Sequence, residues 1–144
     1  MKRNNFYQGV QAGLPVAFGY LPIAVAFGVF AKNTGLSTTA AVLMSVAVFA
    51  GASQFVALSL LAIGNGHWQI IITTFILNLR HFLMSAAVAP RLKPGKMAPL
   101  VAFGITDETF SILSFHPAAE NNPAFALGVN TIAYLGWVSG TLGG

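Results

Sequence analysis

Charge is nearly missing from this chain, and cysteine is missing altogether. Of 144 residues, seven are Lys or Arg and three are Asp or Glu, so 7% are charged, against about 25% in an ordinary soluble domain. So few ionic groups cannot supply the polar shell that a soluble fold of this length needs. The lack of cysteine excludes disulfides and thiolate metal sites but leaves the compartment open. Equally absent are a nucleophile–His–acid set in motif context, an HExxH pair and a phosphate-cradling glycine loop. The three histidines lie far apart, with no carboxylate pairing that would make a metal site. These absences argue against an enzyme and against a metal or other cofactor. An intramembrane hydrolase using Ser53 or Ser85 with His81 is the one catalytic alternative. The net charge of +4 and pI near 9.9 do not point to nucleic acid. The basic residues fall in loops between apolar runs, with no basic stripe interleaved with aromatics.

What is present is apolar: 56% of the residues are hydrophobic and the mean hydropathy is +0.73. No Asp, Glu, Lys or Arg occurs in residues 4–31 or 33–79. A membrane-spanning helix needs about 20 apolar residues at about 1.5 Å each, so the second run suffices for two spans. The pattern predicts an all-α polytopic membrane helix bundle. It forms a single transmembrane domain over residues 1–144, with spans at 6–31, 37–63, 68–89, 97–115 and 123–142. The stretch after Lys2-Arg3 is too long, and with Pro15 and Pro22 too rich in proline, for a signal-peptide core. Lys32, Arg91, Lys93 and Lys96 outnumber Lys2 and Arg3 on the other side, which favours an external N-terminus; a re-entrant segment would reverse it. The 91–96 loop is read as cytoplasmic.

Three segments carry signs of a break. The first has Pro15 and Pro22 among Gly13, Gly19 and Gly28, and the second has Gly51-Ala52-Ser53-Gln54 at its centre. The fourth has Gly104 followed by Thr106-Asp107-Glu108-Thr109, which reads as a fresh helix start with Thr106 as cap and two acids at its positive end. Close helix packing explains any one of them. All three together point to a cavity, because open backbone at membrane depth needs protein or water to satisfy it.

Two ionisable clusters, Asn78-Leu79-Arg80-His81 and Thr106-Asp107-Glu108-Thr109, fall near mid-span, where a lone charge costs about 2.5–3.5 kcal/mol. Thr74, Asn78, His81 and Ser85 share one helical face, and that polar stripe is expected to face the bundle interior. Arg80 and Asp107 form either an ion pair that locks two helices or part of a substrate or proton site. Glu108, about 100° round the helix from Asp107, is then left wet, neutral or facing a ligand. His81 is either a proton relay, since imidazole titrates near neutrality, or a satisfied core histidine. Ser53, Gln54 and Asn78 supply neutral hydrogen bonds, so the candidate substrate or proton pathway is Ser53, Gln54, Asn78, Arg80, His81, Asp107 and Glu108. Trp68, Tyr134 and Trp137 mark interfaces or packing, and Gly128, Ala133, Gly136 and Gly140 suggest close helix contacts.

Several blocks then carry a resemblance: Gly19-Tyr20-Leu21-Pro22 with Ala26-Phe27-Gly28, Val48-Phe49-Ala50-Gly51-Ala52-Ser53-Gln54-Phe55, Asn78-Leu79-Arg80-His81, Ala89-Pro90-Arg91-Leu92, and Phe103-Gly104-Ile105-Thr106-Asp107-Glu108-Thr109-Phe110. In this order, over about residues 9–140, they resemble the AzlC-type branched-chain amino acid permeases. The resemblance implies export of branched-chain amino acids and their analogues across a bacterial inner membrane, together with a small AzlD-type membrane subunit as partner. Such permeases run on with further spans beyond the point where this chain stops, so a C-terminally truncated large subunit is expected. A faint echo between Pro15-Val16-Ala17-Phe18-Gly19 and Pro99-Leu100-Val101-Ala102-Phe103-Gly104 fits an inverted repeat of three spans whose last helix is not in this chain. A channel or pore subunit and a non-transporting assembly subunit are the alternatives.

Overall fold

The computed structural model describes residues 3–144, with side chains from Asn5 onward. The side chains of Lys2 and Arg3, which bear on orientation, lie outside the described residues. Among those residues the chain is helical and contains no strand. Its seven α-helices are α1 (Arg3–Asn33), α2 (Thr38–Ala47), α3 (Gly51–Ala62), α4 (His67–Leu92), α5 (Ala98–Phe103), α6 (Asp107–Phe115) and α7 (Pro123–Gly143). Three are long and apolar enough to cross a membrane: α1 from Asn5, α4 and α7. The second and fourth hydrophobic segments are each divided, into α2–α3 and α5–α6.

Local chemistry sets the boundaries. The α1 helix ends after Asn33, where Leu36 N–H reaches back to the Ala31 carbonyl and Gly35 N–H to the Lys32 carbonyl, both at 3.0 Å. That pairing satisfies carbonyls a helix end leaves open. Ser37 opens α2 by accepting the Ala40 N–H at 3.1 Å, and Asn122 opens α7 by accepting Phe125 N–H at 3.1 Å ahead of Pro123 at a tolerant first position.

Two expectations change. The first segment is continuous through Pro15 and Pro22. Each proline removes a single backbone hydrogen bond, and in a long apolar helix neighbouring contacts hold the axis. Pro90 does not end α4 either; it sits inside the last turn, and the chain leaves the helix at Lys93, with φ of +46°.

The chain divides into two compact units. One comprises α1 up to Gly19 together with His81–Leu135. Its core is Val88, Leu92, Val101, Ile105, Leu113 and Phe125, with Val129 and small alanines between. Here α1 and α7 meet backbone to backbone: a Cβ added at Gly128 would strike the Phe6 carbonyl oxygen. The other unit comprises Tyr20–Arg80 with Gly136–Gly144, and its core holds Tyr20, Phe27, Phe49, Leu58 and Trp137. On α4, Phe75 is 65% and Phe82 72% exposed, the outward apolar face expected of a helix that meets lipid rather than water.

Candidate functional site

In the first unit, a helix stops and restarts within one apolar segment. The α5 helix ends at Gly104, and α6 starts at Asp107 with Thr106 as its cap. Thr106 and Thr109 form a reciprocal box: Thr106 N–H donates to Thr109 Oγ1 at 2.8 Å, and Thr109 N–H to Thr106 Oγ1 at 3.3 Å. The carbonyls left open by the break are taken by side chains from three helices. Asn130 Nδ2 of α7 donates to Val101 O at 2.9 Å, Thr109 Oγ1 of α6 to Gly104 O at 3.1 Å, and His81 Nδ1 of α4 to Ile105 O at 2.7 Å. Buried carbonyls need such donors. Gly104 is required here, because a Cβ would run into Asn130.

A carbonyl can only accept, so His81 Nδ1 carries the proton of this hydrogen bond. His81 Nε2 and Asn130 Oδ1 are buried with no hydrogen-bond partner among the described residues. Asp107 and Glu108 occupy the first turn of α6 and are exposed on this unit. There they complement the positive end of the helix.

The second unit has its own break, at residues 48–50 between α2 and α3, where Val48 is extended; it precedes residues 51–54, which form the first turn of α3 rather than the break itself. A closed polar network lies beside it. Trp137 Nε1 donates to Gln54 Oε1 at 2.9 Å, Gln54 Nε2 to Ser45 Oγ at 3.1 Å, and Ser45 shares a bond of 2.9 Å with Thr141 Oγ1. Gln54 is fully buried. The Trp137 ring packs against Tyr20 and Phe27, at centroid distances of 5.7 and 6.1 Å, and over Gly51. Ser53 turns its hydroxyl back onto the Ala50 carbonyl at 2.9 Å. Thr74, Asn78, His81 and Ser85 lie half-buried along α4, whereas Phe75, Ile76, Phe82 and Leu83 are exposed. Asn78 Oδ1 is buried with no hydrogen-bond donor among the described residues, and Arg80 is half-buried on the same helix.

Of the residues singled out in the sequence, Ser53 and Gln54 thus come together around one break, and His81, Asp107 and Glu108 around the other. Asn78 and Arg80 lie on α4 within the second unit. Four participants escaped sequence reasoning: Ser45, Asn130, Trp137 in its hydrogen-bonding role, and Thr141. A usable signal exists for three of them. Asn130, Trp137 and Thr141 stand at i, i+7 and i+11 on α7 and share one face.

Long apolar helices, with two further apolar segments each divided in two, define an all-α, multi-pass membrane protein. Residues 15–144 match the AzlC protein family, and the chain belongs to it. It is similar to an uncharacterized membrane protein of Archaeoglobus fulgidus, 38% identical over 136 residues, covering 94% of this chain and 59% of that relative. It is similar to the inner membrane protein YgaZ of Escherichia coli K12, 34% identical, covering 95% of this chain and 58% of the relative. The branched-chain amino acid transport protein AzlC of Bacillus subtilis is 30% identical, covering 88% of this chain and 51% of that protein. The chain therefore spans somewhat over half the length of these relatives. No solved structure matches it.

Proposed function

We propose that this chain transports branched-chain amino acids across the cytoplasmic membrane as part of the large permease subunit, in the export direction, alongside a small AzlD-type subunit. The observation that carries this reading is the α5–α6 break, in which helix ends and buried polar side chains gather within an apolar segment. A helix is interrupted at membrane depth only where the opened backbone lines a cavity or is buried by protein. Membership of the AzlC family and similarity to the branched-chain amino acid transport protein AzlC of Bacillus subtilis support this substrate class.

A zwitterionic substrate needs an anion site, a cation site and an apolar pocket between them. Arg80 is the better anchor for the carboxylate. The start of α6 already carries Asp107 and Glu108, and its N–H groups at Thr106 and Thr109 are engaged by the capping box, so its positive end is largely spent. Glu108, in the first turn of α6, takes the ammonium or a coupling proton. His81 Nε2 and Asn78 Oδ1 are further polar atoms along the pathway. Ser53 and Gln54 act one step back, holding the second break in shape. No catalytic step is assigned.

The test is uptake of each of the twenty amino acids into inverted membrane vesicles made from cells that produce the chain with its membrane partner. The expected result is saturable, concentrative uptake of leucine, isoleucine and valine that collapses when a protonophore is added. Non-saturating flux would establish a pore instead. A lack of any flux, with the chain abundant in the membrane, would establish an assembly role.

A further inference from the structure

One cavity, of about 200 Å³, lies wholly within the first unit, between the end of α4 and α5. Its floor is Val88, Leu92, Val101 and Ile105, all buried. The hollow exists because small side chains, Ala89 from α4 and Ala98 and Ala102 from α5, stand where larger ones would fill it. Ser85 contributes the one side-chain hydroxyl of the lining. A chamber this size is below the range of about 300–1,000 Å³ that holds a drug-sized ligand, so nucleotides and large cofactors are excluded. It exceeds the roughly 150 Å³ apolar cavity that admits benzene, which leaves room for a four-carbon branched group.

One end of the lining is polar by association. Ile105 is the residue whose carbonyl receives His81 Nδ1 at 2.7 Å, and Asp107 and Glu108 begin α6 two and three residues further on. Ser85 is one helical turn from His81 along α4. A partly open apolar cavity beside an interrupted helix matches a molecule with an aliphatic tail and a charged head joined at a single carbon. A membrane lipid's acyl chain is far too long for the volume.

We propose that this cavity receives the branched aliphatic side chain of the transported amino acid, and that Ala98 and Ala102 set the size limit. The assignment rests on the transport reading above. Both alanines are exposed in the unit, so enlarging them fills the chamber without overpacking the buried floor. Ala102→Leu and Ala98→Leu are each expected to lower kcat/KM for leucine about tenfold or more relative to that for valine, the discrimination one methylene supports in a tight pocket. On the unaltered chain, a diazirine analogue of leucine is expected to label residues 85–105, with excess leucine displacing it and lysine not.

If the unaltered chain moves leucine and valine but both filled variants keep the original leucine-to-valine ratio, the cavity assignment is overturned and the transport reading stands. The same holds if the label falls elsewhere, or if palmitate rather than leucine displaces it. If the unaltered chain moves neither amino acid, both readings fall. Should one filled variant fail to reach the membrane, the other variant and the labelling decide.

Discussion

Replacing Gln54 with leucine tests whether the network beside the α2–α3 break holds the second unit together. Gln54 is fully buried and uses both amide atoms, accepting from Trp137 Nε1 at 2.9 Å and donating to Ser45 Oγ at 3.1 Å. Leucine nearly matches glutamine in volume, so the cavity contribution is small and the effect isolates the polar bonds. Ser45 retains Thr141 as a partner at 2.9 Å, but the Trp137 N–H is left without an acceptor. A buried donor stranded in this way costs about 1–3 kcal/mol. Polar contacts between membrane helices average only about 0.6 kcal/mol and reach about 1.7, so the expected loss is about 1–2 kcal/mol. For a chain of this length that lowers Tm by roughly 2–8 °C.

Trp137→Phe removes the stranded donor, so the double variant should recover part of the loss, with a coupling of about 1 kcal/mol in a double-mutant cycle. The assay is thermal unfolding in detergent micelles. In the single variant it can be followed by tryptophan emission, because Trp137 is 3% and Trp68 76% exposed and the two report different surroundings. A Gln54→Leu chain as stable as the unaltered one, with no coupling to Trp137→Phe, would refute the reasoning.

At the other break, His81→Asn keeps a donor where Nδ1 stands, whereas His81→Leu strands the Ile105 carbonyl. The leucine variant should lose about 1–3 kcal/mol of stability and the asparagine variant much less, read as membrane-inserted amount and detergent melting. Equal stability of the two would remove His81 from the support of the break. Asp107→Asn should slightly reduce the amount of folded protein, because it removes a charge that complements the positive end of α6, worth about 0.3–1 kcal/mol. Glu108→Gln should leave that amount unchanged and abolish efflux of leucine and valine. Normal abundance and normal efflux in both would end the assigned division of labour.

The helices, the α5–α6 break and, displaced by a few residues, the α2–α3 break were legible in the sequence for a local reason. A run without charge, bounded by Lys32 or by Gly64-Asn65-Gly66, needs only its own backbone to form helix. Gly104 followed by Thr106 and Thr109 encodes a stop and a restart within six residues. Pro15 and Pro22 misled for a related reason. A proline states that one hydrogen bond is lost, but whether the axis breaks depends on packing that lies elsewhere in the chain.

What composition and spacing determined by themselves was therefore the membrane class, the segments and the positions where polarity enters them. Only the tertiary structure decided which polar groups meet. Trp137 lies 83 residues from Gln54, and Thr141 96 residues from Ser45, while Asn130 reaches Val101 across 29 and His81 reaches Ile105 across 24. No local pattern encodes such pairings, because each is selected by the folded chain's need to satisfy a buried donor or carbonyl once water has been excluded. The same holds for the cavity. Ala98 and Ala102 look like ordinary helix formers in the sequence, and they become the walls of a chamber only when α5 is laid against Val88 and Leu92.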